Sequence, residues 1–190
     1  MLIIVFEGPD GSGKTTLMNE TANLLRSQNF TVLKFKEPFG QPKTLTVKGF
    51  EKGRKKLYEQ INKLKDLDNL IKKTQPCSGC FGEGLIILVD RNYLSSMVYQ
   101  QDMHVKIYDC DLAIVLVPEV EVIQERLSNR LNNDNLDSTD QKVIEQRIEC
   151  YINLSKDKRH KIMLFKKLTP LQTVDLIKKT YSQIVKDSHD

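Results

Sequence analysis

The stretch "FEGPDGSGKTT", residues 6–16, follows directly on the apolar run of residues 2–5 and limits the fold more than any other part of the chain. The stretch matches the pattern G-x-x-x-x-G-K-[ST] of a phosphate-binding loop, with Gly8, four further residues and then Gly13, Lys14 and Thr15. Its glycines let backbone N–H groups surround an anion, and the following helix adds the positive end of its dipole. A nucleoside triphosphate is therefore expected here, with Lys14 at its β- and γ-phosphates and Thr15 on Mg²⁺. The residues expected around the triphosphate are Gly8, Pro9, Asp10, Gly11, Ser12, Gly13, Lys14, Thr15 and Thr16.

Short apolar, β-branched runs alternate with helical stretches along the whole chain. This alternation predicts βαβ units and an α/β fold, the three-layer sandwich of P-loop NTPases, in which helices flank a five-stranded parallel sheet. One domain spanning residues 1–190 is expected, with a short mobile lid around residues 126–140. The predicted strands are 2–6, 31–36, 85–89, 112–117 and 161–165, and the predicted helices are 14–28, part of 42–73, 93–103, 119–131, 139–156 and 170–186.

Composition and charge exclude several classes of protein. The chain of 190 residues is 39% hydrophobic and 28% charged, which is ordinary for a globular domain. No apolar run approaches the ~20 residues of a membrane helix, and no signal-peptide pattern is present, so an intracellular protein without a membrane partner is expected. The net charge is only +4. The basic runs 52–56 and 156–161 are expected to be solvated faces, and no nucleic-acid partner is expected because no readout motif accompanies them.

Cysteines and histidines give weaker indications. Cys77 and Cys80 form a C-x-x-C in a loop rich in Pro and Gly, and no second such pair follows. Reduced, unconnected thiols are therefore expected, rather than a zinc or redox site. The three histidines, His104, His160 and His189, are expected at the surface.

A second informative stretch is "LIILVDRNYLSSMVYQ", residues 85–100. A strand that ends in Asp90 places a carboxylate at the edge of a parallel sheet beside the phosphate-binding loop, where it can help to hold Mg²⁺. Arg91 can present its fork of donors to a second phosphate. The alternative is a buried Asp–Arg pair with a structural role only.

On these motifs the sequence resembles the thymidylate kinases, which are P-loop nucleoside monophosphate kinases. The loop reads "EGPDGSGKTT", and "KEPFG" at residues 36–40 loosely matches the motif R-E-P-G-G. The signature D-R-[YH]-x-x-S-x-x-A-Y-Q is matched at its spacing by Asp90, Arg91, Ser95, Tyr99 and Gln100. "PEVEVIQERLSNR" resembles the family's entry to the lid, and "QRIECYINL" resembles a later helix.

The resemblance implies a function: transfer of the γ-phosphoryl group of ATP, with Mg²⁺, to a deoxynucleoside monophosphate, most simply dTMP giving dTDP. It also implies a homodimer. Asp10 would bind the 3′-hydroxyl of the acceptor, Arg91 its phosphate, and Thr15 with Asp90 the metal. The residues implied in catalysis are Lys14, Asp10, Arg91, Arg126 and Arg130. Those implied in substrate binding are Asp10, Glu37, Pro38, Phe39, Tyr58, Asn62, Arg91, Ser95, Tyr99 and Gln100.

The sequence departs from the family pattern in places. Asn135 stands where many relatives carry a lid arginine, and Phe39 replaces a glycine. No base-reading arginine is evident; Tyr58 is taken as a base-stacking ring and Asn62 as the residue in the arginine's place. A pocket of neutral amides predicts a relaxed base preference.

Two alternatives remain. A deoxynucleoside kinase would use Glu37 as a general base on a 5′-hydroxyl. The absence of Trp and the presence of Asp10 and the pair Asp90–Arg91 disfavour it. The second alternative is a nucleotide-binding module with weakened catalysis, and the altered lid is its only support.

Overall fold

The sheet has five parallel strands. A computed structural model describes residues 1–37, 47–74, 84–129 and 139–187. The strands are β1 (Leu2–Glu7), β2 (Phe30–Lys36), β3 (Gly84–Asp90), β4 (Leu112–Leu116) and β5 (Ile162–Phe165). Their order is β2-β3-β1-β4-β5 and every pairing is parallel. The predicted α/β class and the parallel five-stranded sheet are confirmed. The predictions for Pro38, Phe39, Cys77, Cys80, Arg130, Asn135 and His189 lie outside the described residues.

The described parts of the chain contain six α-helices, of which the first five connect strands and the last follows β5: α1 (Lys14–Ser27), α2 (Val47–Thr74), α3 (Tyr93–Gln100), α4 (Val120–Ser128), α5 (Gln141–Ser155) and α6 (Pro170–Asp187). A 3₁₀ turn, Lys158–His160, precedes β5. The prediction for α3 extended to residue 103 and is too long. Gln101 takes a left-handed φ of 52°, and its N–H donates to the Ser96 carbonyl, which ends the helix.

Burial on both faces of the sheet explains why β1, β3 and β4 are almost continuously apolar. Ile3 and Val5 of β1 join the cluster beneath α2, α3 and α5. Leu2, Ile4 and Phe6 join the cluster beneath α1 and α6. A parallel sheet covered by helices on both sides requires this composition. It also brings the ends of β1 and β3 together at one edge, because Phe6 pairs with Asp90.

Two predictions of surface position are wrong. Arg54, in the basic run 52–56, is only 1% exposed because its guanidinium lies inward from α2. His160 is 3% exposed; its Nδ1 lies 3.0 Å from the Tyr93 hydroxyl. Runs of charge conceal such residues, since a helix directs every third or fourth residue of a run to the same face, which can be the one packed on the core. His104 is exposed, as predicted.

Among the described residues, no helix is both long and apolar enough to cross a membrane.

Candidate active site

The phosphate-binding loop joins β1 to α1 through three glycines with positive φ. A Cβ at Gly8 (φ 139°) would lie 2.3 Å from the Leu116 carbonyl oxygen, so β4 leaves no room for a side chain. Gly13 precedes α1 with a left-handed φ of 90°, and no side chain caps the helix. The first N–H groups of α1 therefore remain available to an anion, at the positive end of the helix dipole.

Lys14 is buried in this loop although it carries the charge that the triphosphate needs. Its side chain is 7% exposed, and Nζ lies 3.3 Å from the Pro9 carbonyl oxygen and 3.8 Å from the Asp10 carboxylate. Burial, and next the positive charge of Arg91, lower the pKa of Lys14 to about 8. A bound triphosphate would supply negative charge that stabilises the protonated amine in this buried position.

Affinity for ATP is accordingly expected to fall as the pH rises through about 8. Bound phosphates favour the protonated amine, so above this pH binding must take up a proton and weakens by up to about tenfold per pH unit. Calorimetry with Mg-ATP in buffers of different ionisation enthalpy measures the proton uptake, and Lys14→Met should remove it.

The stability of the ligand-free protein should rise over the same pH range. Lys14 in the unfolded protein, with a pKa of 10.5, stays protonated to higher pH than in the folded protein. If ATP binding weakened because the protein unfolds at alkaline pH, the stability of the ligand-free protein would instead fall over this pH range.

Thr15 and Asp90 meet at the edge of the sheet where Mg²⁺ is expected. The Thr15 hydroxyl donates to Asp90 Oδ2 at 2.8 Å. Asp90 Oδ1 is buried and has no hydrogen-bond partner among the described residues. A buried carboxylate oxygen without a partner, beside a hydroxyl and the phosphate loop, fits a magnesium ion held mainly by phosphate and water oxygens. Mg²⁺ bound there would neutralise charge on the triphosphate.

Asp10 and Arg91 form an ion pair across the mouth of the loop. Arg91 also donates from Nη1 to the Ser95 hydroxyl at 3.1 Å, and its backbone takes a left-handed φ of 72°. Such a backbone is unusual for a residue with a side chain and occurs often at functional sites. The Tyr99 hydroxyl accepts the Asp10 N–H at 2.9 Å. The structure thus brings together four of the residues predicted on the acceptor side.

Glu7, to which the sequence gave no role, positions this pair. Its buried carboxylate accepts from the Asn92 N–H at 2.6 Å, from the Ser95 hydroxyl at 2.8 Å and from the Tyr151 hydroxyl at 2.9 Å. Burial raises the pKa of Glu7 although Arg91 and these donors oppose the shift. Glu7 therefore joins the start of α3 and the middle of α5 to the end of β1, and so fixes the backbone around Arg91.

A cavity of about 760 Å³ lies on the other side of the loop. Arg126 of α4 donates to the Gly11 and Ser12 carbonyls at 3.2 and 3.0 Å, which holds its guanidinium against the loop. Pro118 and Leu168 supply apolar surface, and Lys166 and Lys167 line the same cavity. This space, next to the N-terminus of α1, is large enough for the base and ribose of a nucleotide.

The acceptor side contains residues that the sequence predictions missed. Tyr58 is buried in the core, stacked on Tyr108 at 4.3 Å between ring centroids, and the Asn62 side chain is exposed on α2. The structure brings neither to the loop. Arg54 instead donates to Glu37 from Nε at 2.8 Å and to the Ser96 hydroxyl at 2.5 Å.

Arg54 and Gln100 line a small cavity of about 100 Å³. Arg54 Nη1 and Gln100 Oε1 are both buried without a hydrogen-bond partner among the described residues. Phe50, half-buried, lies one helical turn before Arg54 on the same face of α2. In the sequence, an aromatic residue followed four residues later by an arginine could have indicated this pair. The arginine stands among lysines, which favoured the interpretation as a solvated face.

Arg147 of α5 also reaches the site. Its guanidinium carbon lies 4.3 Å from the centroid of the Tyr99 ring, on which Arg91 packs at 5.1 Å. The motif "QRIECYINL" contained this residue, but spacing alone gave it no role.

A family model described as thymidylate kinase matches residues 6–175, which is most of the chain. The chain belongs to the thymidylate kinase family. It is therefore a kinase, and the family reaction is the ATP-dependent phosphorylation of dTMP to dTDP.

Individual thymidylate kinases agree with this family assignment. The chain is 27% identical over 166 residues to the thymidylate kinase of Desulfotalea psychrophila, covering 80% of this chain and 81% of that one. It is 30% identical over 102 residues to the thymidylate kinase of Finegoldia magna, covering 52% of this chain and 50% of that one.

Solved thymidylate kinase structures share the fold. The structure from Candida albicans superposes with a TM-score of 0.57 at 18% identity, covering 100% of this chain and 93% of that chain. The structure from Ehrlichia chaffeensis gives 0.55 at 19% identity, covering 94% and 97%.

Proposed function

We propose that this chain transfers the γ-phosphoryl group of ATP to dTMP, and that Arg54 and Gln100 read the base. The observation that carries the proposal is the cavity lined by Arg54 and Gln100, each of which has a buried atom without a hydrogen-bond partner in the described part of the chain: a donor, Arg54 Nη1, and an acceptor, Gln100 Oε1. Thymine offers the complementary pair, O4 as acceptor and N3–H as donor. Cytosine offers a 4-amino donor and an N3 acceptor, which would leave both protein groups unsatisfied.

Phosphoryl transfer then depends on position and charge. An ionised phosphate oxygen of dTMP attacks the γ-phosphorus, and the bond to the bridging oxygen breaks to release ADP. No general base is required, because the attacking oxygen carries no proton. Lys14 would follow the moving group, Arg91 would hold the acceptor phosphate, and Asp10 would accept the 3′-hydroxyl.

Other assignments change in this proposal. Arg126 was expected at the transferring group, but its contacts with the Gly11 and Ser12 carbonyls support a place beside the donor nucleotide's base and ribose. Arg54 takes the base-reading role first given to Asn62, and Phe50 takes that of Tyr58 as the ring against the base. With an arginine in the pocket, the expected relaxed base preference gives way to selection for thymine. Mg²⁺ with ATP, the homodimer and the intracellular location stay predictions, as do the roles of Arg130, Pro38 and Phe39.

The alternative of a deoxynucleoside kinase with Glu37 as base receives little support from the geometry. Glu37 is 3% exposed and pairs with Arg54 at 2.7 Å. Burial raises the pKa of Glu37, and Arg54 opposes the shift. A carboxylate committed to a buried arginine is poorly placed to approach a 5′-hydroxyl. The juxtaposition of Lys14, Thr15 and Asp90 likewise supports a working kinase over a weakened binding module.

We expect kcat/KM for dTMP to exceed that for dCMP by at least about a hundredfold, because a mismatched edge leaves buried polar groups unpaired. The test is kcat/KM for dTMP, dUMP, dCMP and thymidine under one set of conditions. Gln100→Leu should reduce the discrimination while the buried Arg54–Glu37 pair stays intact. Exposed Gln141→Leu on α5 is the control. A dCMP value within tenfold of dTMP would contradict the base-reading roles, and activity on thymidine but not on dTMP would contradict the proposed reaction.

A further inference from the structure

His160 is a buried histidine that none of the roles described so far involves. It ends the 3₁₀ turn between α5 and β5 and is 3% exposed. Its Nδ1 lies 3.0 Å from the Tyr93 hydroxyl, and its Nε2 faces the Asp157 carboxylate at 3.7 Å. The ring proton is assigned to Nε2, on the side of this carboxylate, so that Nδ1 accepts a hydrogen bond from Tyr93. The imidazole thus satisfies a hydroxyl that folding has removed from water.

Tyr93 connects this histidine to the acceptor side of the active site. It is the first residue of α3, it is only 1% exposed, and it follows Arg91 by two residues. Arg91 takes a left-handed φ of 72°, a conformation that persists in a residue with a side chain only where the surrounding structure imposes it. The start of α3 must therefore be held firmly.

Two sets of contacts hold the start of α3. Glu7, at the end of β1, accepts from the Asn92 N–H at 2.6 Å and from the Ser95 hydroxyl at 2.8 Å. The hydrogen bond with His160 acts on Tyr93, which lies between these two residues, and ties it to the turn before β5. The first turn of α3 is therefore fixed to two parts of the chain that lie far apart in the sequence.

We infer that His160 is a positioning residue of the acceptor site: through its hydrogen bond with Tyr93 it fixes the first turn of α3, and so the place from which Arg91 acts. This inference rests on the proposed function. Loss of the bond would leave a buried polar group without a partner, and the turn would shift to relieve it. A displacement of about 1 Å at a group that holds a substrate lowers turnover, because the reacting atoms then reach the attacking geometry less often. The donor cavity is lined by other elements, so ATP binding should change little.

Binding and turnover of single variants test this role. Tyr93→Phe removes the hydroxyl and keeps the ring, so we expect the Kd for dTMP to rise about 3- to 10-fold and kcat to fall by a similar factor, while the Kd for Mg-ATP changes less than about twofold. His160→Phe should have the same effects. His160→Asn should restore most of the wild-type values, because the asparagine Oδ1 can accept the hydrogen bond in place of Nδ1. Tyr181→Phe, which removes a hydroxyl beside Gly84 at the other end of β3, is the matched control and should behave as the wild-type protein.

A double variant distinguishes the hydrogen bond from two separate packing effects. If the bond carries the role, Tyr93→Phe combined with His160→Phe should cost no more dTMP affinity than either substitution alone. Losses that multiply would overturn the inference, as would unchanged dTMP binding and kcat in Tyr93→Phe, or equal losses of dTMP and Mg-ATP affinity. A His160→Asn variant as impaired as His160→Phe would also overturn it. A wild-type protein that does not bind dTMP would contradict the proposed function and this inference with it, whereas the other outcomes concern His160 alone.

Discussion

Lys14→Ala should lower kcat by about 10²- to 10³-fold, because the substitution removes the cation that accompanies the γ-phosphoryl group through the transition state. The lysine is almost completely buried in the loop, and no other residue of the loop carries a positive charge. Arg91 pairs with Asp10 on the acceptor side, and Arg126 is held by the Gly11 and Ser12 carbonyls, so neither is expected to take over the role of Lys14. The measurement is steady-state kcat with saturating Mg-ATP and dTMP.

The fold should survive this substitution. A buried lysine whose pKa is lowered to about 8 is a cost to the folded protein, so its removal is expected to leave the melting temperature unchanged or slightly higher. Lys179→Ala, at an exposed position on α6, is the control for loss of a lysine as such. If purified, folded Lys14→Ala kept more than about a tenth of the wild-type kcat, the assigned role of the loop would be wrong.

Arg91→Ala should weaken dTMP binding by about 10- to 100-fold and leave the Kd for Mg-ATP within a few-fold. The guanidinium lies on the acceptor side, joined to Asp10 and to the Ser95 hydroxyl, whereas the donor cavity lies on the opposite side of the loop. Turnover should fall as well, because an acceptor that is held loosely reaches the attacking geometry less often.

A graded set of variants tests the cause of that loss. Arg91→Lys keeps the charge but loses the fork of donors, so its Kd for dTMP should lie between those of the wild-type protein and Arg91→Ala. Arg159→Ala removes a fully solvated arginine and should have no effect on either ligand. Equal losses of dTMP and Mg-ATP affinity in Arg91→Ala would indicate that the arginine only maintains the Asp10 backbone.

Much of the fold was predictable because its signals are local. Four of the five strands are almost continuous apolar runs, β2 alternates apolar and polar residues, and each strand begins and ends within two residues of the prediction. Pro170 begins α6, as expected for a residue whose missing N–H is no loss there. The exit of α3 was predicted less well, since a left-handed residue such as Gln101 leaves almost no trace in the sequence.

The sequence by itself determined the phosphate end of the site. Gly8, Gly13, Lys14 and Thr15 lie in one uninterrupted segment, so their spacing dictates their geometry, and Asp90 follows from the parallel pairing of β1 with β3. Tertiary structure alone decided the acceptor end. Arg54, Glu37, Gln100 and Arg147 come from α2, the end of β2, α3 and α5, and no spacing relates segments that only packing brings together. An arginine in a basic run can face water or a buried carboxylate, depending on how its helix is rotated against the sheet. That rotation is fixed by many long-range contacts together, so the run itself does not reveal it.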